Sequence, residues 1–289
     1  MYKAKTLKHS LLMYKVLDKD TIKKEILPHL PTAKRGYKTK SDMVEIVNCI
    51  LYKHKTGCQW HMLPVKELFT EKVLSYQAVY WHFSKWSKSG RWKACWIKLL
   101  DNHKTELDLS SVDIDGSHTP ALRGGEAVAY QGRKKKKTTN SLYLTERQGL
   151  PLAFSSPVAG NHHDLYNIEK ALNDLFGTLS EARILLDGLF ANADSGFDSK
   201  DFREGCLERG IFPNVAFNYR NGNNNDEIYL LDELLYEERY SIERTNAWMD
   251  SYRSVLNRFD STTASWESFN YIAFIVILLK KINKNKKSK

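Results

Sequence analysis

Apolar residues along the chain repeat with two different periods, and the change falls near residue 108. Before it the spacing is helical. Met43, Ile46, Val47, Ile50 and Leu51 recur at helical intervals, which predicts a helix opened by Ser41 as N-cap and stopped before Gly57. Val79, Tyr80, Phe83 and Trp86 predict a second helix starting near Ser75, with Lys85, Lys88, Arg91 and Lys93 on its far side and in the following turn. Two such helices, linked by a connector containing Trp60, suggest a small helical domain of helix-turn-helix type.

Beyond residue 108 the period drops to two. Val112 and Ile114 alternate with Asp113 and Asp115, the pattern of a short strand. Residues 140–145 (NSLYLT) and 151–155 (PLAFS), separated by a turn at Gln148-Gly149, extend it into an antiparallel meander of three strands. A helix is expected over 165–176, with Asp164 as its N-cap. Apolar stretches at 184–186 and 189–191 lead into Asp194. A helix over 200–209, with Asp198 as its N-cap, and a strand over 211–217 complete an alternation that adds parallel strands to the meander. After an exposed loop at 220–226 (RNGNNND) the chain reads as helical, over 232–259 with a break near Tyr240 and over 265–282. The fold class is therefore α/β, with a helical domain in front of a mixed sheet.

A 42% hydrophobic content and seven tryptophans in 289 residues suffice for one large core or two modest ones. The longest apolar stretch, residues 271–279, falls well short of the roughly 20 residues needed to span a bilayer, so it reads as a buried helix. No signal peptide is recognisable in the first 15 residues. The four cysteines form no CxxC pair, which argues against a zinc knuckle or a disulfide framework and for a reducing, cytoplasmic setting.

Charge sharpens the division. Residues 1–100 hold 20 Lys and Arg against 7 Asp and Glu, whereas the remainder holds 24 against 27. The surplus marks the N-terminal third as the polyanion-binding part. A second basic feature, residues 133–137 (RKKKK), falls between the first two predicted strands, where a hairpin tip could track a DNA backbone.

The candidate chemistry lies in carboxylates. Asp115 ends a strand-like run beside Gly116-Ser117-His118, and Asp113 points to the same face two residues earlier as its competitor. Gly116 puts Asp115 ahead, because glycine lets backbone and ligand approach closely. Asp194 ends an apolar stretch before a Gly-containing turn, the kind of strand end where open sheets gather ligands. Tyr236, Arg239 and Glu243 share one helix face, although Arg239 and Glu243 could equally form an ordinary surface ion pair. Only folding could assemble three acids this far apart in sequence. Such a cluster can clamp two divalent cations about 4 Å apart, activating a water or hydroxyl and stabilising the leaving oxygen of a phosphodiester. His162, His163 and Asp164 lack the helical spacing or second His pair of a zinc site.

Taken together, these segments resemble the transposases of bacterial insertion sequences, specifically insertion sequence family five, which carry an Asp-Asp-Glu triad on an RNase H-like fold. The resemblance runs from about residue 36 to residue 279. It is carried by Thr56-Gly57-Cys58-Gln59-Trp60 with Leu63-Pro64, residues 79–86, Asp115-Gly116-Ser117-His118 with Arg123-Gly124-Gly125, Gly149-Leu150-Pro151-Leu152 with Gly160-Asn161-His162-His163-Asp164, Ala193-Asp194-Ser195-Gly196-Phe197-Asp198, and Glu243-Arg244-Thr245 with Trp248 and Arg253. Their common order and spacing make it specific.

The resemblance implies that Asp115, Asp194 and Glu243 are the catalytic and metal-holding triad. Tyr236 and Arg239 match the Tyr-x2-Arg-x3-Glu part of the family's C-terminal signature. That signature continues with a Lys seven residues after the Glu, where this chain has Asp250. The usual basic DNA contact is then unassigned, with Arg244 and Arg253 as candidate substitutes. Further DNA contacts are expected from Lys85, Lys88, Arg133, Lys134, Lys135, Lys136 and Lys137. The implied organisation is a helical, basic, DNA-binding region over 1–105, an RNase H-like catalytic domain with an antiparallel meander plus parallel strands over 106–283, and a basic tail over 284–289. Two Mg²⁺ or Mn²⁺ ions would serve cleavage at the element's terminal inverted repeats and strand transfer into target DNA, within a homodimer or higher synaptic complex in the cytoplasm of a prokaryotic cell. Two other readings stay open: a sequence-specific DNA-binding protein that kept the fold and lost catalysis, toward which Asp250 points, and an RNase H-like nuclease acting without transposition.

Overall fold

A computed structural model describes residues 15–31, 39–221 and 231–287. Residue 36, where the family likeness begins, most of the predicted loop at 220–226 and the end of the basic tail lie outside them. In chain order the main elements are α1 (Met43–Thr56), α2 (Tyr76–Lys88), α3 (Arg91–His103), β1 (Val112–Pro120), β2 (Ala129–Gln131), β3 (Lys136–Glu146), β4 (Pro151–Phe154), β5 (Val158–Ala159), α4 (Ile168–Glu181), β6 (Phe190–Ala193), α5 (Lys200–Leu207), β7 (Phe212–Val215), α6 (Glu233–Glu237), α7 (Ser241–Asp250), α8 (Arg253–Leu256) and α9 (Thr263–Lys287). They group into two compact units, one of Met1–Leu99, Asp250–Leu256 and Ala264–Lys289, the other of Leu100–Met249 and Asn257–Thr263.

The first unit is helical. Ile46, Val47, Ile50 and Leu51 of α1 are fully buried, as their spacing requires. Its N-cap is Asp42, whose side chain accepts from the Val44 N–H, and not Ser41, whose hydroxyl donates to the Lys72 carbonyl. Adjacent polar residues compete for such a cap, and sequence alone does not rank them. Gly57 ends the helix at φ 69°, with its N–H on the Lys53 carbonyl. The connector passes through two short helical turns, Trp60–Met62 and Val65–Leu68, before Ser75 caps α2 through the Ala78 N–H. Helix α9 is the central rod of this core. Trp266, Phe269 and 272–276 are fully buried, Phe83 stacks on Phe269 with centroids 4.5 Å apart, and Trp96 meets Phe274 edge-on at 5.4 Å.

The second unit is built on a seven-stranded mixed sheet with the path β2-β3-β1-β6-β7, and β4 and β5 also paired to β3. Strands β1, β3 and β4 are antiparallel neighbours, the expected meander; β6 runs parallel to β1 and β7 parallel to β6. One edge of β3 pairs with β1 while β2, β5 and β4 share the other in succession, and Thr138 through Glu146 are buried. Helix α4 packs on β4, and α5 on α4 and β7.

Several local expectations shift. β1 does not stop at a turn after Asp115 but continues through Gly116 and His118 to Pro120, because β3 pairs with it along its whole length. α4 starts at Ile168, after Asn167 in the left-handed region (φ 51°). Asp164 is therefore no cap; it accepts from the Asn140 side chain at 2.8 Å. Ser199 caps α5, and Asp198 instead pairs with the buried Arg203 at 2.7 Å. The helical stretch over 232–259 is broken into α6, a 3₁₀ turn at Glu238–Tyr240, α7 and α8.

Candidate active site

The register of the parallel strands places two carboxylates side by side. Asp113 pairs with Asn192 and Ile114 with Ala193, the last pair of β1 and β6. Asp115 and Asp194 come next on strands about 4.8 Å apart. Alternation puts Asp113 and Asn192 on the same face one step deeper. Asp194 lies just past the end of β6, where its Oδ1 accepts from the Gly196 N–H at 2.8 Å and caps the 3₁₀ turn Ser195–Phe197. Asp115 Oδ1 accepts from the Gly116 N–H at 2.8 Å. In each case one carboxylate oxygen is anchored by backbone.

Glu243 comes from α7, in its first turn. It lines an open cleft of about 540 Å³ with Asp113, Asp115, Asn192, Asp194, Tyr236, Glu237, Arg239 and Tyr240. The triad implied by the family resemblance thus meets in one cleft, together with the Tyr and Arg of the signature. Arg239 lies over the Tyr236 ring, 4.9 Å from its centroid, within the 3₁₀ turn Glu238–Tyr240 that precedes α7.

Electrostatics singles out Asp115. Half-burial pushes its carboxyl up to about 6, and the negative charges of Asp194, Asp164 and Glu243 push the same way, against the opposing bond from Gly116. Asp113 is raised by its burial and held back by bonds from Ser241, Asn192 and the Ile242 N–H and by the charge of Arg239. It is almost fully buried, at 2% exposure, which separates it from its neighbour: Asp115 faces the cleft and Asp113 is committed to protein partners.

The donor set is all oxygen, which suits a hard cation such as Mg²⁺ or Mn²⁺. Among the described residues no three His, Cys, Asp or Glu side chains gather tightly enough to hold an ion, so these acids line a common cleft without forming a closed cage. Mg²⁺ is ordinarily held by one or two carboxylates completed by waters and substrate phosphates, and the open cleft is compatible with that.

The remaining candidates lie elsewhere. Residues 133–137 are all exposed, at the turn and first strand residues of the β2–β3 hairpin, where Lys136 and Lys137 pair with Gln131 and Tyr130. Arg244 leaves the cleft lining and donates to the Gln148 carbonyl at 2.9 Å across the β3–β4 turn. Arg253 begins α8, with its Cβ packed against Gly57. Lys85 and Lys88 are exposed on α2, Lys85 over the exposed Trp81 ring at 4.8 Å. Asn192, Asn214 and Ser241 escaped the sequence reading; the two asparagines signalled themselves only as single polar residues in short apolar strands, and Ser241, at the start of α7, gave no signal.

Comparison with known proteins identifies the family. The family DUF4096, described as a transposase of the IS4/5 family, matches residues 22–96. The family described as Transposase DDE domain matches residues 106–279. No protein of curated function matches the chain. Among solved structures, 96% of the chain aligns with 76% of a chain in the cryo-EM structure of the piggyBac transposase synaptic complex with hairpin DNA, at 11% identity and TM-score 0.49. Another 86% alignment, to 81% of a chain in the crystal structure of a pre-cleavage Mos1 transpososome, has 13% identity and TM-score 0.30. The assignment rests on the two family matches, which divide the sequence where its periodicity changes: the chain belongs to the insertion-sequence transposases with a DDE domain.

Proposed function

We propose that Asp115, Asp194 and Glu243 are the catalytic carboxylates of this transposase, acting on the terminal inverted repeats of its own insertion sequence. The observation that carries this is the strand register, which sets Asp115, within β1, beside Asp194, just past the end of β6, in the cleft that Glu243 also lines. DDE transposases generally use divalent metal ions. Here Asp115, Asp194 and Glu243 would hold Mg²⁺ or Mn²⁺, most simply two ions, which when bound lower the pKa of an attacking water or hydroxyl and stabilise the leaving oxygen. Tyr236 and Arg239 present a phenol and a guanidinium at the same mouth, suited to orienting a DNA phosphate in line with the carboxylates. Asp115, whose carboxyl is raised to about 6, would hold such a cation in its deprotonated form.

DNA is the partner this surface favours. The exposed cations at 133–137 suit a phosphate backbone, and the surplus of 20 Lys and Arg over 7 Asp and Glu in residues 1–100 suits a region that grips element ends, with Lys85 and Lys88 among its contacts. The functional division follows: residues 1–105 bind, residues 106–283 cut and join, and 284–289 add a basic tail. Arg244 and Arg253 are the cations nearest in sequence to the position taken by Asp250, and each contributes to DNA binding from its own place. Two ends must be joined, so the working unit is a dimer or higher synaptic complex in a prokaryotic cytoplasm. No helix among the described residues is long and apolar enough to cross a membrane.

The test is to incubate the full chain with duplex carrying the inverted repeats that flank its gene, in Mg²⁺, and to look for nicked ends and joined products. Both are expected. Specific binding with no Mg²⁺-dependent nicking would overturn the proposal in favour of a DNA-binding protein that lost catalysis.

A further inference from the structure

Asp113 is buried deeper than a metal ligand needs to be, and its bonds lead across the sheet. Asp113, Asn192 and Asn214 are register partners on β1, β6 and β7, each no more than 2% exposed. Asn192 Nδ2 donates to Asp113 Oδ1 at 2.9 Å, and Asn214 Nδ2 donates to Asn192 Oδ1 at 2.8 Å. At the far end Asn214 Oδ1 accepts from the Asp232 N–H at 2.8 Å, while its Nδ2 also donates to the Asp232 carbonyl at 3.0 Å. At the near end the Ser241 hydroxyl donates to Asp113 Oδ2. Asp232 is the N-cap of α6, and Ser241 opens α7.

We infer that Asp113 is a positioning residue: through Asn192 and Asn214 it heads a buried polar ladder that pins both ends of the segment carrying Tyr236 and Arg239 and fixes the start of the helix that presents Glu243. This deepens the reading of Glu243 as a catalytic carboxylate and rests on it. The ladder has one polarity. As a carboxylate Asp113 can only accept, which orients the Asn192 amide and then Asn214. The Asp232 N–H and carbonyl require that same orientation from the other side. An amide at position 113 has one acceptor oxygen where the carboxylate has two, and one that turned its NH₂ on Asn192 would oppose that order. Flipping both asparagines to follow would set an NH₂ against the Asp232 N–H and an oxygen against its carbonyl. A carboxylate at the first turn of α7 also complements the helix dipole. Buried networks of this kind are strong only when every member is satisfied.

The experiment is hydrogen–deuterium exchange on the full chain as wild type, Ser241→Ala, Asp113→Asn and Ser241→Thr, with the Mg²⁺ concentration for half-maximal DNA cleavage measured on the same proteins. Ser241→Ala and Asp113→Asn should speed exchange of peptides covering 233–247 while those covering 136–146 stay as in wild type. The Mg²⁺ requirement should rise about 10-fold or more, the usual scale for losing a residue that orients a metal ligand. Ser241→Thr, which keeps the hydroxyl, should restore both. Unchanged exchange over 233–247, a uniform rise across the chain, or an unchanged Mg²⁺ requirement in Ser241→Ala would overturn the inference, and Ser241→Ala decides it if Asp113→Asn does not fold. If the wild type shows no Mg²⁺-dependent cleavage, the catalytic reading fails, and exchange alone then decides whether the ladder holds the segment.

Discussion

Asp164 stands so close over Gly116 that a Cβ added to the glycine would lie 2.1 Å from Asp164 Oδ1. Glycine beside Asp115 therefore admits a neighbouring carboxylate held by Asn140. Gly116→Ala should destabilise the protein by about 1–3 kcal/mol, the usual scale of overpacking. Adding Asp164→Ala should recover most of that loss in denaturant unfolding, because the two sites couple through one contact. Strict additivity of the two losses would contradict the contact.

The raised carboxyl of Asp115 fixes a pH dependence. Its folded value of about 6 lies above the ordinary 3.8, so the native state binds the proton more tightly, and this residue's contribution to stability falls as pH rises between those values. Asp115→Asn should accordingly be more stable than wild type at pH 7.5 in EDTA, by on the order of 2 kcal/mol in denaturant unfolding, and the gap should close near pH 4. Mg²⁺ should narrow the gap at pH 7.5 by stabilising the wild type alone. A substitution that is destabilising at both pH values would mean that Asp115 is not strained by its neighbours.

Residues 133–137 predict a salt effect. Replacing Lys134, Lys135, Lys136 and Lys137 with Gln should weaken binding to all duplexes alike and lower the slope of log affinity against log salt by about 3 to 4, close to one counterion per lost contact. An unchanged slope in a titration from low to moderate salt would remove the hairpin from the DNA path.

Arg203 holds the loop that follows Asp194. Its Nε donates to Asp198 Oδ1 at 2.9 Å and its Nη2 to the Val215 carbonyl at 2.9 Å, while Asp198 Oδ2 accepts from the Asn218 N–H at 2.7 Å. Arg203→Ala leaves a buried carboxylate without its cation and should cost about 3–5 kcal/mol in denaturant unfolding. A loss within about 0.5 kcal/mol, the range of ordinary surface changes, would show that the pair does not hold the loop.

Much of this was readable from local pattern. The alternation at Val112 and Ile114 located β1, the apolar run before Asp194 located β6, and helical spacing located α1 and α2, because each has a buried face that its own residues announce. The two- and three-residue strands β5 and β2 are too short for any periodicity, and they exist because β3 offers them an edge. Asp42 rather than Ser41, and Ser199 rather than Asp198, cap their helices; in each case two adjacent capping residues were available. The site split along the same line. Asp115, Asp194 and Glu243 were legible as an ordered set through the family resemblance, whereas the link from Asp113 to Ser241 joins residues 128 positions apart and leaves no trace in spacing. Asn192 and Asn214 are single polar residues in short strands, and only the register pairs them.

The central claim is that three carboxylates from β1, the end of β6 and α7 act together. The most direct measurement is cleavage of an inverted-repeat duplex in Mg²⁺ by wild type, Asp115→Asn, Asp194→Asn and Glu243→Gln, with duplex binding measured on the same samples. Each substitution should abolish cleavage while binding stays near wild type. Wild-type cleavage by any one of the three, at equal binding, would remove that residue from the site and contradict the account.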